Sequence, residues 1–465
     1  MKQEMSLMVV FLILMVYDLF ASEKGRAYLQ PLAVVLFAAH TIFGFLPTEL
    51  GTSFNGMYVS NGSENAMKNI LNIGVLLMLL QSNGWLSKPD VAFKRGEFQI
   101  ITILTLFGMY LMISAGNFIL FYVGLETASL PMAALVAFEK FKNNSAEAGA
   151  KYMFNAVFSS AILLFGVSLL YGAMGSLYFD DLSMTLVSSP LVLMAMVFFI
   201  VGLFFKISLV PFHFWTADVY EGAPTNVTAY LSTISKGAAV YALMAVLFKT
   251  FAILMIEWQT ILWWVIVITI TVGNLFAMRQ TNLKRFFAFS SVSQAGYIAL
   301  GILAGSSAGM ASVMYYVLVY IFSNMAAFGV ISAIENKTGK VHMKDYNGLY
   351  QTNPLLAVVM MMALFSLGGI PPTAGFFSKF YIFMAASAQH EYLLVFIALL
   401  NTIISLYYYL LVVKAMFING SDQPIESFSS DKYMKISLAI CFIGLIVVGF
   451  TSFIYEYLGM VGFGI

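Results

Sequence analysis

Apolar runs of about 18 residues or more recur along the whole chain, each closed by a short polar, glycine- or proline-bearing segment. Runs of that length are helices that cross a hydrocarbon layer about 30 Å thick. The pattern predicts an all-α integral membrane protein with about fourteen transmembrane helices. The first eight are expected near 4–21, 30–48, 67–86, 97–115, 117–138, 149–172, 190–216 and 226–249. The rest are expected near 259–278, 285–305, 309–335, 354–388, 391–418 and 433–458. The first run follows Lys2 as a signal peptide would, but no small-x-small cleavage site follows it, so it reads as a span.

Two spans are interrupted. The seventh carries Pro211, and the twelfth breaks at Gly368-Gly369-Ile370-Pro371-Pro372. A proline inside a helix removes a backbone hydrogen bond, and in a membrane the freed groups must be satisfied by protein or by water in a cavity. Lysines accompany both breaks. Lys206 precedes Pro211 by five residues, Lys236 interrupts the following apolar run, and Lys379 lies just beyond the second break. With the polar turn expected around 218–226, Lys206 stands 12 residues before it and Lys236 10 residues after it. At about 1.5 Å per residue, both lie roughly 15–18 Å from one face, near mid-membrane and too deep to snorkel. Lys379, about ten residues before the helix end near Gln389, is equally deep. A lone ammonium there costs at least about 2.5 kcal/mol, so three of them point to a proton path rather than to packing.

Paired interrupted helices in matching positions of two halves mark a transport path. Three N-terminal helices (1–96) would then precede a first five-helix repeat (97–250), a second (251–420) and a last helix (421–465). Because five is odd, the two repeats would be inverted in topology.

Other polar residues fall inside the spans. Glu126, nine residues beyond Asn117, is either a carboxyl that exchanges protons and pairs with Lys206 or a neutral acid bonded to backbone. Lys151 is either a loop residue or the first intramembrane one. His213, at the seventh-helix break, could relay a proton or simply bond freed backbone. Tyr297 could lend a hydroxyl to a water chain or be a packed aromatic. Asp18 and Lys414 sit near helix ends and read as interfacial.

Basic residues set the orientation. With loops numbered alternately, Lys24, Arg26, Lys88, Lys94 and Arg95 share a side with Lys140 and Lys142. Arg279, Lys284 and Arg285, then Lys337, Lys340, Lys344, Lys432 and Lys435, fall there too. Only Lys2, Lys68 and Lys249 fall opposite, which puts both termini outside the cytoplasm. Composition agrees, at 61% hydrophobic and 10% charged residues. The net charge of +1 gives no electrostatic case for nucleic acid. One cysteine, Cys441, excludes an internal disulfide. No phosphate loop, Cys-x-x-Cys or His-Glu-x-x-His is present, and a haem would have to use His40 and His213.

The segment FKISLVPFHFWTADVYEGAPTNVTAYLSTISK resembles the antiporter-like membrane subunits of proton-pumping NADH:quinone oxidoreductase, respiratory complex I. GLETASLP, KRFFAFSSVSQAGY and GGIPPTAGFFSKFY extend the resemblance over nearly the whole length. It implies fourteen helices in two inverted five-helix repeats, with helices 7 and 12 broken. It also implies a functional series at Glu126, Lys206, Lys236 and Lys379, with Lys151, His213 and Tyr297 accompanying it. The wording WTADVYEGAP, the lysine at 379 where the M type has glutamate, and the end at Ile465 without the L type's lateral helix favour the N type. Gln294 departs from relatives with histidine there. By the same resemblance this chain would hold no cofactor. Quinone, NADH, FMN and iron–sulfur clusters would act in other subunits, and neighbouring antiporter-like subunits and the lipid bilayer of a bacterial inner membrane would be its partners. The rival reading is a subunit of a multi-subunit cation/proton antiporter, or of a related membrane-bound hydrogenase or ferredoxin/quinone oxidoreductase. One buried acid among three lysines suits protons better than sodium, which wants several oxygen ligands.

Overall fold

The structure, a computed structural model, describes residues 1–22 and 25–461; Lys24 lies outside the described residues. The first six helices are α1 (Lys2–Phe20), α2 (Leu29–Gly44), α3 (Gly62–Leu86), α4 (Arg95–Ile113), α5 (Phe118–Val136) and α6 (Asn143–Met174). A short α7 (Phe179–Thr185) leads to the interrupted pair α8 (Pro190–Ile207) and α9 (Phe214–Gly222). Next, α10 (Thr225–Tyr230) passes through a π-helical turn at Leu231–Ser235 into α11 (Lys236–Lys249). Three helices follow, α12 (Met255–Ala277), α13 (Leu283–Leu303) and α14 (Ser307–Thr338), then a single turn, α15 (Leu349–Thr352). A second interrupted pair, α16 (Pro354–Gly368) and α17 (Ala374–Ala388), precedes α18 (Tyr392–Phe417), α19 (Lys432–Phe450) and α20 (Ser452–Met460).

Among the described residues twelve helices are long and apolar enough to cross a membrane. The two further spans expected from the sequence are α3, whose 25 residues include buried Lys68, Asn69, Asn72 and Gln81, and the α16–α17 pair, each 15 residues. The bundle is centred on α13 and α14, whose apolar stretches are almost entirely covered by other helices.

Two local expectations change. The turn after the first break falls at Ala223-Pro224 rather than at 218–226, because α9 stays helical through Asp218 to Gly222. A hairpin was not foreseen: β1 (Gly51–Ser53) pairs antiparallel with β2 (Tyr58–Ser60), Thr52 opposite Val59. It is tied to the α4–α5 turn by the Val59 amide on the Ser114 carbonyl (2.9 Å) and the Gly116 amide on the Met57 carbonyl (2.7 Å).

The two interruptions are built alike. Ser208 (φ 67°) and Gly369 (φ 81°) end α8 and α16 in the left-handed conformation. In each case the next amide reaches five residues back, Leu209 to Phe204 and Ile370 to Phe365, both at 2.9 Å. This closure satisfies the last carbonyls of the first half-helix. The loop amide of Val210 is taken by Thr269 Oγ1 of α12 at 3.0 Å. Each break is therefore a capped, hydrogen-bonded stop; the Gly368 carbonyl accepts Lys379 Nζ (3.3 Å), and the Phe205 carbonyl accepts Trp215 Nε1 (3.2 Å) beside the Ser208 amide (3.0 Å).

Close helix contact surrounds this frame. A Cβ on Gly108 would lie 2.4 Å from the Ala128 amide nitrogen, and one on Gly124 2.5 Å from that of Met112, so α4 and α5 touch backbone to backbone. Small residues are what permit such approach in lipid, where no hydrophobic drive exists between helices. Gly124→Ala should therefore destabilise the protein by about 1–3 kcal/mol, the range for overpacking a close contact. Thermal unfolding of the purified protein in detergent measures it, and an unchanged transition would contradict the packing argument.

Candidate functional site

Three lysines are buried at the interrupted helices, with exposures of 8% for Lys206, 4% for Lys236 and 4% for Lys379. Lys206 ends α8. Its Nζ donates to Ser129 Oγ (2.6 Å) and to the Tyr152 hydroxyl (3.1 Å), beside a cavity of about 10 Å³. Ser129 donates its own hydrogen to the Leu125 carbonyl (2.6 Å), so its oxygen faces the lysine as a neutral acceptor.

Glu126 stands one turn before Ser129 on α5. The expected Glu126–Lys206 ion pair is not formed: among the described residues no cation lies within 4 Å of Glu126, and its buried Oε1 has no hydrogen-bond partner. The serine, three residues on, occupies the ammonium instead. The geometry is that of a carboxyl and a lysine separated by one neutral acceptor.

Lys236 opens α11 directly after the π-helical turn, an irregularity often found at functional positions. Its Nζ donates to Ser291 Oγ (2.8 Å) and lies 5.4 Å from the Tyr220 ring. A cavity of about 10 Å³ beside it is lined by Ile207, next to Lys206, and by Tyr320. The hydroxyls of Tyr220 and Tyr320 are buried without partners. Space for about one water and orphaned hydroxyls together describe a wettable junction.

Lys379 projects from α17 back to the break, where Nζ donates to the Gly368 carbonyl and sits 4.9 Å from the Tyr297 ring. Its stem packs on Gly369, where an added Cβ would meet Cδ at 3.1 Å. Between Lys236 and Lys379 runs one face of α13. Ser291, Gln294 and Tyr297 follow one another at a turn apart, about 9 Å in all. Gln294 donates to the Leu367 carbonyl (3.2 Å) and the Tyr409 hydroxyl (3.1 Å) and accepts from Tyr316. An amide with these bonds holds the ladder in register but carries no exchangeable charge. The Tyr297 hydroxyl accepts from Thr402 (3.2 Å) and donates to the Ala398 carbonyl (3.4 Å).

His213 caps the start of α9 and is buried, with Nδ1 unpartnered. Lys151 is different. It is 40% exposed and paired with Glu147 (2.7 Å) and Asp218 (2.6 Å), and Arg285 adds Asp218 (2.9 Å) and Glu221 (2.7 Å). Lys151 thus belongs to an ion-pair network at the helix ends. At the same end a cavity of about 490 Å³ opens between Lys88, Lys142, Glu221, Lys284 and Glu335, and reaches Asn226, whose Oδ1 is buried without a partner.

The most deeply buried cation escaped the sequence reading. Lys68 was expected in a loop, yet it is 0% exposed. Its Nζ binds Glu4 (2.5 Å), Ser114 Oγ (2.6 Å) and the Tyr58 hydroxyl (3.2 Å). The overlooked signal is the capping box at Asn61-Gly-Ser-Glu64, which starts α3 five residues earlier than hydropathy does and carries Lys68 inside.

A family model described as "NADH:quinone oxidoreductase/Mrp antiporter, TM" matches residues 115–405, from the α4–α5 turn into α18. A chain named NADH-quinone oxidoreductase subunit N from Azobacteroides pseudotrichonymphae genomovar. CFP2 is 55% identical, covering 100% of this chain and 98% of its own length. A chain of the same name from Phocaeicola vulgatus is 55% identical, covering 98% and 97%. Among solved structures, a chain of respiratory complex I from Thermus thermophilus with bound aureothin superposes with a TM-score of 0.82 at 28% identity, covering 96% of each chain. The capped breaks and the buried lysines beside them thus stand in a chain that belongs to the NADH:quinone oxidoreductase/Mrp antiporter membrane family and, within it, to the group named NADH-quinone oxidoreductase subunit N.

Proposed function

We propose that this chain is the proton-translocating, multi-pass membrane subunit N of an NADH:quinone oxidoreductase, with redox chemistry carried by other subunits. The observation that carries the reading is the row of Lys206, Lys236 and Lys379, each buried at a helix irregularity and each hydrogen-bonded only to neutral oxygens. An ammonium so placed has no counter-charge in contact with it, so a change of charge nearby acts directly on how firmly it holds its proton.

In this reading Glu126 is the switch at one end. With its carboxylate drawn toward Lys206, the ammonium is stabilised. When the carboxylate turns away, Ser129 and Tyr152 alone must hold the charge, and the proton passes to water in the adjoining cavity. Lys236 receives it and passes it along the Ser291–Gln294–Tyr297 face of α13 to Lys379, at the second break. Because Gln294 cannot change charge, transfer past it runs through hydroxyls and water. His213 is placed to assist at the first break. The roughly 490 Å³ cavity reaching Asn226 is the intake, on the face where the basic residues gather. That face is cytoplasmic by the excess of lysine and arginine, with both termini opposite, in a bacterial inner membrane. The two breaks head matching halves of two inverted five-helix repeats, and neighbouring antiporter-like subunits are the partners. The cation/proton antiporter alternative is less well supported, since the row offers one carboxylate and no oxygen cage.

Lys206→Ala and Glu126→Ala should each slow pumping-coupled turnover of the assembled complex by about a hundredfold, the low end of what losing a positioned proton-transfer group costs. Turnover and proton yield in native-membrane vesicles measure this, and wild-type values in either variant would refute the role. Ser129→Ala, which removes a neutral acceptor but no proton carrier, should have a smaller effect than either. Solubilised from its native membrane, the chain should co-purify with flavin- and iron–sulfur-containing subunits; isolation without them would favour the antiporter reading.

A further inference from the structure

The Lys68 cluster lies outside the lysine row, and the preceding mechanism does not use it. Lys68, 0% exposed, is joined by two buried carboxyls, Glu4 at 3% and Glu64 at 6%. Glu4 is taken by Lys68 at 2.5 Å, with the terminal amine of Met1 farther off at 3.9 Å. Glu64 has no cation within 4 Å among the described residues. Its Oε2 accepts the Asn61 amide (3.2 Å) and the Ser114 hydroxyl (3.3 Å), and Ser114 Oγ in turn accepts from Lys68. A second buried carboxyl with no ion partner of its own, joined to an ammonium through one hydroxyl, has the makings of a proton-exchange group rather than of a simple clamp.

The cluster has an opening on one side and a polar lead on the other. A cavity of about 30 Å³ reaches Glu64 between Asn61, Tyr241 and Lys249, at the end of the bundle that carries the N-terminus. Tyr241 is held by Ser63 (2.7 Å), and Lys249 is paired with Asp180 (2.7 Å). On the inner side the Lys68 ammonium lies 5.6 Å from the Tyr110 ring. The Tyr110 hydroxyl binds Asn72 and His40 (3.1 Å to Nε2), and Asn72 Nδ2 is buried with no partner. Deeper on the same helix Thr105 binds the hydroxyl of Tyr230 (2.7 Å). The Tyr230 hydroxyl also lies 3.4 Å from the Thr102 carbonyl, one turn deeper on that helix.

We propose that Glu64, with Lys68 and Ser114, is a proton-exchange station on the N-terminal face, supplied from the interior by the polar branch of Tyr110, Asn72 and His40. One proton crosses without any redox change. The Glu64 carboxylic acid releases its proton to water in the cavity. Ser114 then passes its hydrogen to Glu64 Oε2 while taking one from Lys68, and the amine recovers a proton from the interior branch. Glu4 and the Met1 amine hold the local charge meanwhile. The station rests on the proton-translocating reading of the lysine row.

The test uses the assembled complex in native-membrane vesicles with Glu64→Gln, Glu64→Asp and Lys206→Ala. Glu64→Gln should slow coupled turnover by about a hundredfold, as expected for loss of a proton-transfer group, while Glu64→Asp retains most of it. Infrared difference spectra should show a carboxyl C=O band that responds to pH on the N-terminal face and vanishes in Glu64→Gln. If Lys206→Ala is slow but Glu64→Gln turns over normally per assembled complex, the station is overturned and the lysine row stands. Less assembly with normal turnover per complex makes the cluster structural and likewise overturns it, as does absence of the band from the wild type. If Lys206→Ala itself is normal, the underlying reading fails first.

Discussion

Holding an ammonium in hydrocarbon with neutral oxygens as its only partners is the constraint on which the rest of this molecule depends. Hydroxyls and carbonyls at 2.6–3.3 Å repay part of the lost hydration of Lys206, Lys236 and Lys379 but supply no opposite charge. A unit charge arriving about 8 Å away, at an effective dielectric constant of about 20, changes the balance by about 2 kcal/mol, roughly thirtyfold in proton occupancy. A carboxylate in direct contact would stabilise the ammonium far more and immobilise the proton. The serine between Glu126 and Lys206 therefore matters: it keeps the pair within influence of each other without locking it.

The helix breaks serve the same constraint. An unbroken helix spends all its interior carbonyls on itself, leaving none for a lysine. Ending α16 at Gly369 frees the Gly368 carbonyl, which Lys379 takes, and the Leu367 carbonyl, which Gln294 takes. At the end of α8 the Phe205 carbonyl, though bonded to the Ser208 amide, also takes Trp215. Because the stops are capped and Val210 is bonded to Thr269, little backbone is left unsatisfied, as a lipid environment requires. The glycine contacts between helices complete the frame, since the side chains of a polar row meet only where backbones come close.

Much of this was legible in the sequence because the signals are strong. Long apolar runs leave little choice but membrane helices, and a lysine inside such a run is conspicuous. Prolines and glycines announced both breaks. What failed to show was of a different kind. The Glu126–Lys206 contact was inferred from chemical complementarity, whereas the rotamer that gives Ser129 the ammonium depends on packing from α6. Lys68 was hidden because hydropathy begins α3 late, where polar residues are numerous; only the Asn61–Glu64 capping box marks the true start. The hairpin at 51–60 is too short for any periodicity to reveal, and Asp218 was misplaced because its charge suggested a turn where Arg285 and Lys151 instead hold it on a helix.

Lys68 and the three lysines of the row show one residue type in two settings within a single fold. Lys68 has all three of its hydrogens placed, one of them on a carboxylate. The others have one or two neutral acceptors each, with cavities of about 10 Å³ beside Lys206 and Lys236. The difference is set by where carboxylates sit relative to each amine. Glu4 touches Lys68, while Glu126 stops one turn short of Lys206. In the proposed reading, contact in place of that one-turn offset would hold the proton more tightly on Lys206, as Glu4 does on Lys68, where release is proposed only in step with Ser114 and Glu64. The carboxylate positions thus set how readily each amine gives up its proton.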